Sequence, residues 1–201
     1  MKKLMIAAAI VCAAAMSQAA TVTWQQVDGP IYDGMGENAA ELADDTVVYL
    51  IAASYTVGQD TFGFSQSDFA AAYNTAKGDK AATLEAVGGN LLTGTGVTVM
   101  DGYIDSTDST FTQAGLDAYY VIFNGDQAYI SAVETALVDA LDTTVSTLKF
   151  YAPENSEALA IKASEYVSGD GWIKAETVPE PTSGLLLLIG MAGLALRRRR
   201  A

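Results

Sequence analysis

The chain has 201 residues, no histidine, one cysteine, and twenty-four acids against eleven bases, for a formal charge of −13. With no histidine, and with Cys12 inside an N-terminal apolar run, the body cannot build a Ser-His-Asp or Cys-His site, a disulfide or the usual zinc sites. The acidity leaves no basic patch to neutralise phosphates, so nucleic acid is excluded as a partner.

At the N-terminus, Lys2 and Lys3 precede an apolar run from Leu4 to Met16, followed by Ser17-Gln18-Ala19. This is the charge, apolar stretch and small-x-small order of a signal peptide. Residues 1–19 are read as a signal helix cut by signal peptidase after Ala19, with Ala20 as the alternative last residue. Cys12 follows Ala9-Ile10-Val11 and lacks the small residue that precedes a lipoprotein cysteine, so no lipid anchor is expected. Between Asp28 and Glu180 all twenty-four acids meet only Lys77, Lys80, Lys149, Lys162 and Lys174, a charge near −19.

The body, residues 20–177, is long enough for one domain with its own core. Thr21 to Val27 alternates polar and apolar residues and predicts a first strand. Residues 28–45 read as loop, and Thr46 to Ser54 contains five successive apolar residues that fit a strand covered on both faces. A break over Tyr55 to Phe64, at Gly58 and Gly63, leads to Ser65 and Asp68 at the spacing of a capping box. A helix follows over about 66–76, with Phe69 and Tyr73 on one face, and a second is capped by Asp79 and stopped at Gly88-Gly89. Val97 to Ile104 reads as one strand and Asp105 to Thr112 as a polar loop. Ala118 to Phe123, Asn124-Gly125 and Gln127 to about Val133 form a hairpin. Over 131–141 two readings stand, because Ser131 and Glu134 also make a capping box ahead of helically spaced Val133, Leu137 and Leu141. Thr143 to Tyr151 and Ala158 to Val167 each read as a strand, Gly169-Asp170-Gly171 as a turn, and Trp172-Ile173 as a last strand. The expectation is a mainly β, sandwich-like single domain with a small helical insertion at about 66–87, with α+β as the alternative.

The C-terminal end combines Val178-Pro179-Glu180-Pro181, Thr182-Ser183, an uncharged apolar run from Gly184 to Leu196, and Arg197, Arg198, Arg199 and Arg200. The run is apolar on every side, unlike a surface helix, and in lipid only a helix satisfies its backbone. Thirteen residues span roughly 20 Å, short of a roughly 30 Å hydrocarbon layer, and snorkelling arginines and local thinning make up the difference. The arginines stay on the cytoplasmic side, which puts the body outside. Pro179 and Pro181 keep the preceding backbone extended, as a processing enzyme requires. Residues 178–201, with a transmembrane helix at about 182–196, resemble the PEP-CTERM sorting signal of exported Gram-negative proteins. The resemblance implies delivery across the inner membrane, transient anchoring there, and recognition by an exosortase.

Chemistry within the body is sparse. Asp101, Asp105 and Asp108 form its densest acidic stretch and are weak candidates to ligate calcium, at a spacing that matches no EF-hand loop. No other cofactor and no catalytic residue is expected. Paired carboxylates stay open as hydrolytic groups, and tyrosine faces as platforms for sugar rings. Two functions follow: a non-catalytic envelope or matrix protein associated with extracellular polysaccharide, or a carboxylate-dependent extracellular glycan hydrolase.

Overall fold

In the computed structural model of the chain, the residues described are 20–27, 29–33, 40–92, 97–104, 107–111, 114–138, 145–151 and 154–176. The expected signal helix and cut at Ala19, the sorting residues Val178 to Pro181, the transmembrane helix and Arg197 to Arg200 lie outside them, whereas Ala20 opens the first strand. Among the described residues no helix is long and apolar enough to cross a membrane.

The strands are β1 (Ala20–Gln26), β2 (Thr46–Val57) and β3 (Asp60–Phe62), followed by helices α1 (Gln66–Thr75) and α2 (Lys80–Val87). After these come β4 (Val97–Met100), β5 (Tyr103–Ile104), β6 (Thr107–Phe111), β7 (Ala114–Asn124) and β8 (Gln127–Ile130). The chain closes with β9 (Glu134–Thr135), β10 (Leu137–Val138), β11 (Val145–Phe150), β12 (Ile161–Lys162) and β13 (Gly171–Lys174). A four-stranded sheet runs β10-β11-β1-β6, with β1 and β11 parallel. A nine-stranded sheet runs β12-β13-β8-β7-β2-β4-β5, with β3 added to β2 and β9 to β7.

Two cores explain the sequence pattern. Val22 and Trp24 of β1 and Leu148 and Phe150 of β11 pack with Val48, Leu50 and Ala52 of β2 and Ala118, Tyr120 and Ile122 of β7. The two sheets therefore face each other over one cluster. Trp24 is central to it, stacked on Tyr120 at 6.4 Å, edge-on to Phe150 at 6.1 Å, and donating its indole N–H to Ser109 Oγ at 3.2 Å. On the opposite face of the large sheet, Ile51, Tyr119, Val121, Ala128, Ile130 and Ile173 are covered by Phe69, Ala70, Tyr73 and Val87 of the helical pair. Strands β2 and β7 are thus buried on both sides, which is why they are apolar runs without alternation. The domain is mainly β with a small helical insertion, as the sequence pattern predicts.

The helices begin where local chemistry places them. Ser65 Oγ accepts the Asp68 N–H at 3.1 Å and the Asp68 carboxylate accepts the Ser65 N–H at 3.2 Å, a complete capping box. Asp79 Oδ1 accepts the Ala82 N–H at 2.8 Å to start α2.

Four expectations change, and the open reading over 131–141 falls to the strand over its described part. Strand β2 runs on to Val57 and turns at Gly58 into β3, where a break was expected. The stretch Val97 to Ile104 is a hairpin, because Asp101 and Gly102 both take positive φ (47° and 74°), the Asp-Gly turn that suits two-residue hairpins. The expected loop Asp105 to Thr112 contains β6, an edge strand on β1 whose polar residues hid its β-branched threonines and buried Ser109. Over 131–138 the chain forms β9 and β10, because the Ser131 hydroxyl accepts the Tyr120 N–H at 2.9 Å and so does not cap a helix. Of the expected strand Ala158 to Val167 only β12 forms, followed by a 3-10 turn over Ala163–Glu165. Ala163 and Tyr166, three apart, are both buried, a turn's spacing and not a strand's.

Candidate functional site

The calcium candidates do not gather. Asp101 occupies the β4–β5 turn, where its N–H donates to Asp44 Oδ1 at 2.9 Å. Asp108 lies on edge strand β6 and accepts the Thr23 hydroxyl at 2.7 Å, and Asp105 is outside the described residues. Among the described residues no group of three metal-ligating side chains comes together.

The residues that do converge come from segments far apart in sequence. A cleft of about 350 Å³ opens at one end of the sheets, walled by Tyr120, Tyr129 and Phe150. On its rim stand Tyr151, Glu134, Glu154 and Asp170. The wall rings are core residues, whereas Tyr151 is 62 % exposed and presents its ring to solvent. Both oxygens of Asp170 are held: Oδ1 accepts Asn155 Nδ2 at 2.9 Å, and Oδ2 accepts the Asn155 N–H at 3.1 Å and the Tyr129 hydroxyl at 3.2 Å. Burial holds the Tyr120 and Tyr129 phenols protonated far above the ordinary tyrosine range. Partial desolvation raises the Glu134 carboxyl above the usual glutamate value. No basic side chain lines the cleft among the described residues.

Gln66 sets the shape of this rim from the N-terminus of α1. Its buried amide donates to Ser131 O at 2.5 Å and Gly169 O at 2.8 Å, and its oxygen accepts the Gly169 N–H at 3.3 Å. It ties the segment after β8 to the turn that carries Asp170. On its other side a shallower groove of about 370 Å³ is lined by Ser54, Ser65, Ser67, Asp117, Val133 and Ser168. Asp117 there accepts the hydroxyls of Ser54 at 2.8 Å and Thr135 at 2.7 Å. Gln66→Ala is expected to strip the partner from the buried Ser131 carbonyl, while Gly169 O keeps the Tyr166 hydroxyl, and to lower stability by about 1–3 kcal/mol. At roughly 2–4 °C per kcal/mol for a body this size, a fall of about 2–12 °C in melting temperature checks it.

Sequence reasoning singled out none of Glu134, Tyr151, Glu154, Asp170 or Gln66 as site residues. The local signals were Tyr151 with Glu154 and the Gly169-Asp170-Gly171 turn, but they meet only through long-range contacts: β8 pairs with β13, and Asn155, in the segment after β11, bonds Asp170.

A family model for the PEP-CTERM protein-sorting motif matches residues 177–200. The motif implies an exported protein, anchored transiently in the membrane, targeted to an exosortase and sorted to the cell surface. Neither the curated proteins nor the solved structures gave a match to the chain.

Proposed function

We propose that the chain is a non-catalytic protein of the cell envelope or extracellular polysaccharide matrix, exported by its signal peptide and processed by signal peptidase and an exosortase, and that its cleft binds glycan. The observation that carries this reading is the matched sorting motif on a body that holds an aromatic, carboxylate-rimmed cleft. Sugar rings offer apolar faces for the exposed Tyr151 ring and hydroxyl donors for Glu134, Glu154 and Asp170. The adjoining groove, lined with serine hydroxyls, extends the surface along which an extended saccharide is held.

A second reading, a carboxylate-dependent glycan hydrolase, is favoured by one observation: Glu134 is a carboxyl of raised pKa beside other carboxylates, the pairing that general-acid chemistry uses. A glycan array with protein recovered from the cell surface separates the two. Tyr151→Ala is expected to weaken binding about tenfold, a loss of about 1.4 kcal/mol. Glycan cleavage abolished by Glu134→Gln in a folded protein would replace the binding reading with the hydrolytic one, and failure to bind any glycan would sink both.

Glu134 also gives a stability signature. A carboxyl raised in the folded state binds its proton more readily there than in the unfolded chain, so its contribution falls as pH rises through the raised value. Glu134→Gln is therefore expected to raise the melting temperature slightly at pH 7. The two proteins should converge at about pH 3.5, where Glu134 is protonated in both states.

A further inference from the structure

The cleft carries charge of one sign. Glu134 reaches its rim because β9 pairs with β7, with Glu134 opposite Ala118. Tyr151 and Glu154 follow β11, and Asp170 sits in the turn that leads into β13. The lysine closest to these in sequence is Lys149. It is exposed between buried Leu148 and Phe150, so on an alternating strand it stands on the outer face of β11, opposite to the cleft wall that Phe150 forms. The ion pairs among the described residues join Lys162 to Glu165 and Lys174 to Asp126, and neither involves a cleft acid. Among the described residues, then, three carboxylates line a cavity of about 350 Å³ with no cation to offset them.

The carboxylates are ordered but not neutralised. Asp170 is oriented by Asn155 Nδ2, the Asn155 N–H and the Tyr129 hydroxyl, all neutral donors that bring no positive charge. Of its roughly four acceptor sites, one is left for a donor from a ligand. Glu134 loses part of its hydration at the cleft, a cost borne by its charged form that a ligand cation would offset. The acids do not converge on one point, since among the described residues no group of three metal-ligating side chains comes together. A single hard metal ion needs such a group. Negative charges spread around a cleft instead suit a ligand whose positive charges are themselves spread along a chain.

We propose that the cleft selects saccharides built from amino sugars with free ammonium groups, such as a deacetylated hexosamine chain, over neutral or acidic ones; this rests on the reading of the cleft as a glycan site. The apolar face of one ring stacks on exposed Tyr151. The ammonium groups bring N–H donors and positive charge to Glu134, Glu154 and the open site of Asp170, where a neutral sugar brings hydroxyls alone. A uronic acid chain meets carboxylates in the cleft and a body of charge near −19 around it, so it is repelled at short and long range.

Titration calorimetry on protein recovered from the cell surface tests this with a glucosamine oligomer bearing free amines, the same oligomer fully N-acetylated, a uronic acid oligomer of equal length, and the linear polyamine spermine. The free-amine oligomer is expected to bind about tenfold tighter than its N-acetylated form, with the uronic acid weakest and the preference shrinking as salt is raised. Glu134→Gln with Glu154→Gln should remove most of that preference, whereas Glu85→Gln, an exposed change on α2, should keep it. Tyr151→Ala should weaken both glucosamine oligomers and leave spermine unaffected. Equal affinity for the free and N-acetylated oligomers, or tighter binding of the uronic acid, would overturn the amino-sugar assignment while leaving glycan binding in place. Spermine binding as tightly as the free-amine oligomer, or a preference lost equally in Glu85→Gln, would reduce the effect to general attraction of polycations by an acidic body and overturn it too. Failure of all three oligomers and of every glycan on the array would sink the glycan reading and this proposal with it.

Discussion

Gly63→Ala is expected to be the most damaging single-methyl change in the body. Gly63 follows β3 and takes φ of 148°, a backbone region that residues with a side chain rarely enter. A Cβ there would overlap the Ala53 carbonyl oxygen and stand 2.6 Å from the Ala53 carbonyl carbon and 2.7 Å from Ser54 Cα. All three are backbone atoms of β2, the strand that both cores share, so no side-chain rotation relieves the overlap. The next residue is fixed as well, since the Phe64 N–H donates to Ala52 O at 2.9 Å. Backbone strain of about 1–3 kcal/mol adds to an overpacking cost of about 1–3 kcal/mol. The sum is a loss of about 3 kcal/mol or more, or roughly 6–12 °C in melting temperature. Gly58→Ala is the control: its φ is also positive, at 66°, but a Cβ there meets nothing within 4 Å, so only the smaller conformational cost applies. Equal losses in the two variants would show that Gly63 matters for its dihedral angle alone.

What the sequence revealed, and what it hid, follows from the range of the interactions. The Ser65–Asp68 box, the Asp79 cap and the Asn124-Gly125 turn are settled within four residues, and all three stand in the structure where the sequence places them. The double-sided cover of Val48 to Ala52 was legible because a strand without a wet face needs no alternation, although Val47 at its start is exposed. Strand β6 was not legible: Thr107, Ser109 and Thr110 are polar, and they form a strand because β1 supplies a pairing edge eighty-five residues away at Thr23–Asp108. The cleft is harder still. Glu134, Tyr151 and Asp170 share a rim only because β8 pairs with both β7 and β13 while β11 crosses in the opposing sheet. With twenty-four acids in the chain, sequence alone cannot say which of them meet. Asp101 shows the converse error, since acid density drew attention to a residue whose backbone is occupied in closing a hairpin.

Replacing Pro179, Glu180 and Pro181 together by alanine is expected to abolish delivery to the cell surface while leaving export intact. The proposed leader at residues 1–19 is untouched, so on that reading the chain still crosses the inner membrane. The apolar run Gly184 to Leu196 and the four arginines are also untouched, so the proposed anchor, with its arginines on the cytoplasmic side, is expected to hold. What changes is the proline-bearing segment 179–181 between the body and the apolar run. Two prolines keep Val178 and Glu180 out of helical conformations, and alanine, the best helix former, lets the membrane helix grow toward Glu176. Glu176 is fixed to Asn74 and Ser164, so a helix grown to that point would have no extended stretch left between the fold and the lipid. The variant should therefore accumulate in the inner-membrane fraction at the mass of the signal-cleaved, tail-bearing chain. The unaltered protein recovered from the surface should begin near Ala20 and lack Gly184 to Arg200. Surface delivery of the variant at normal yield would show that the Pro-Glu-Pro signature is not read. Glu180→Gln, with both prolines kept, then separates the two ways of reading it. Retained delivery would assign recognition to the extended backbone, and lost delivery would assign it to the carboxylate.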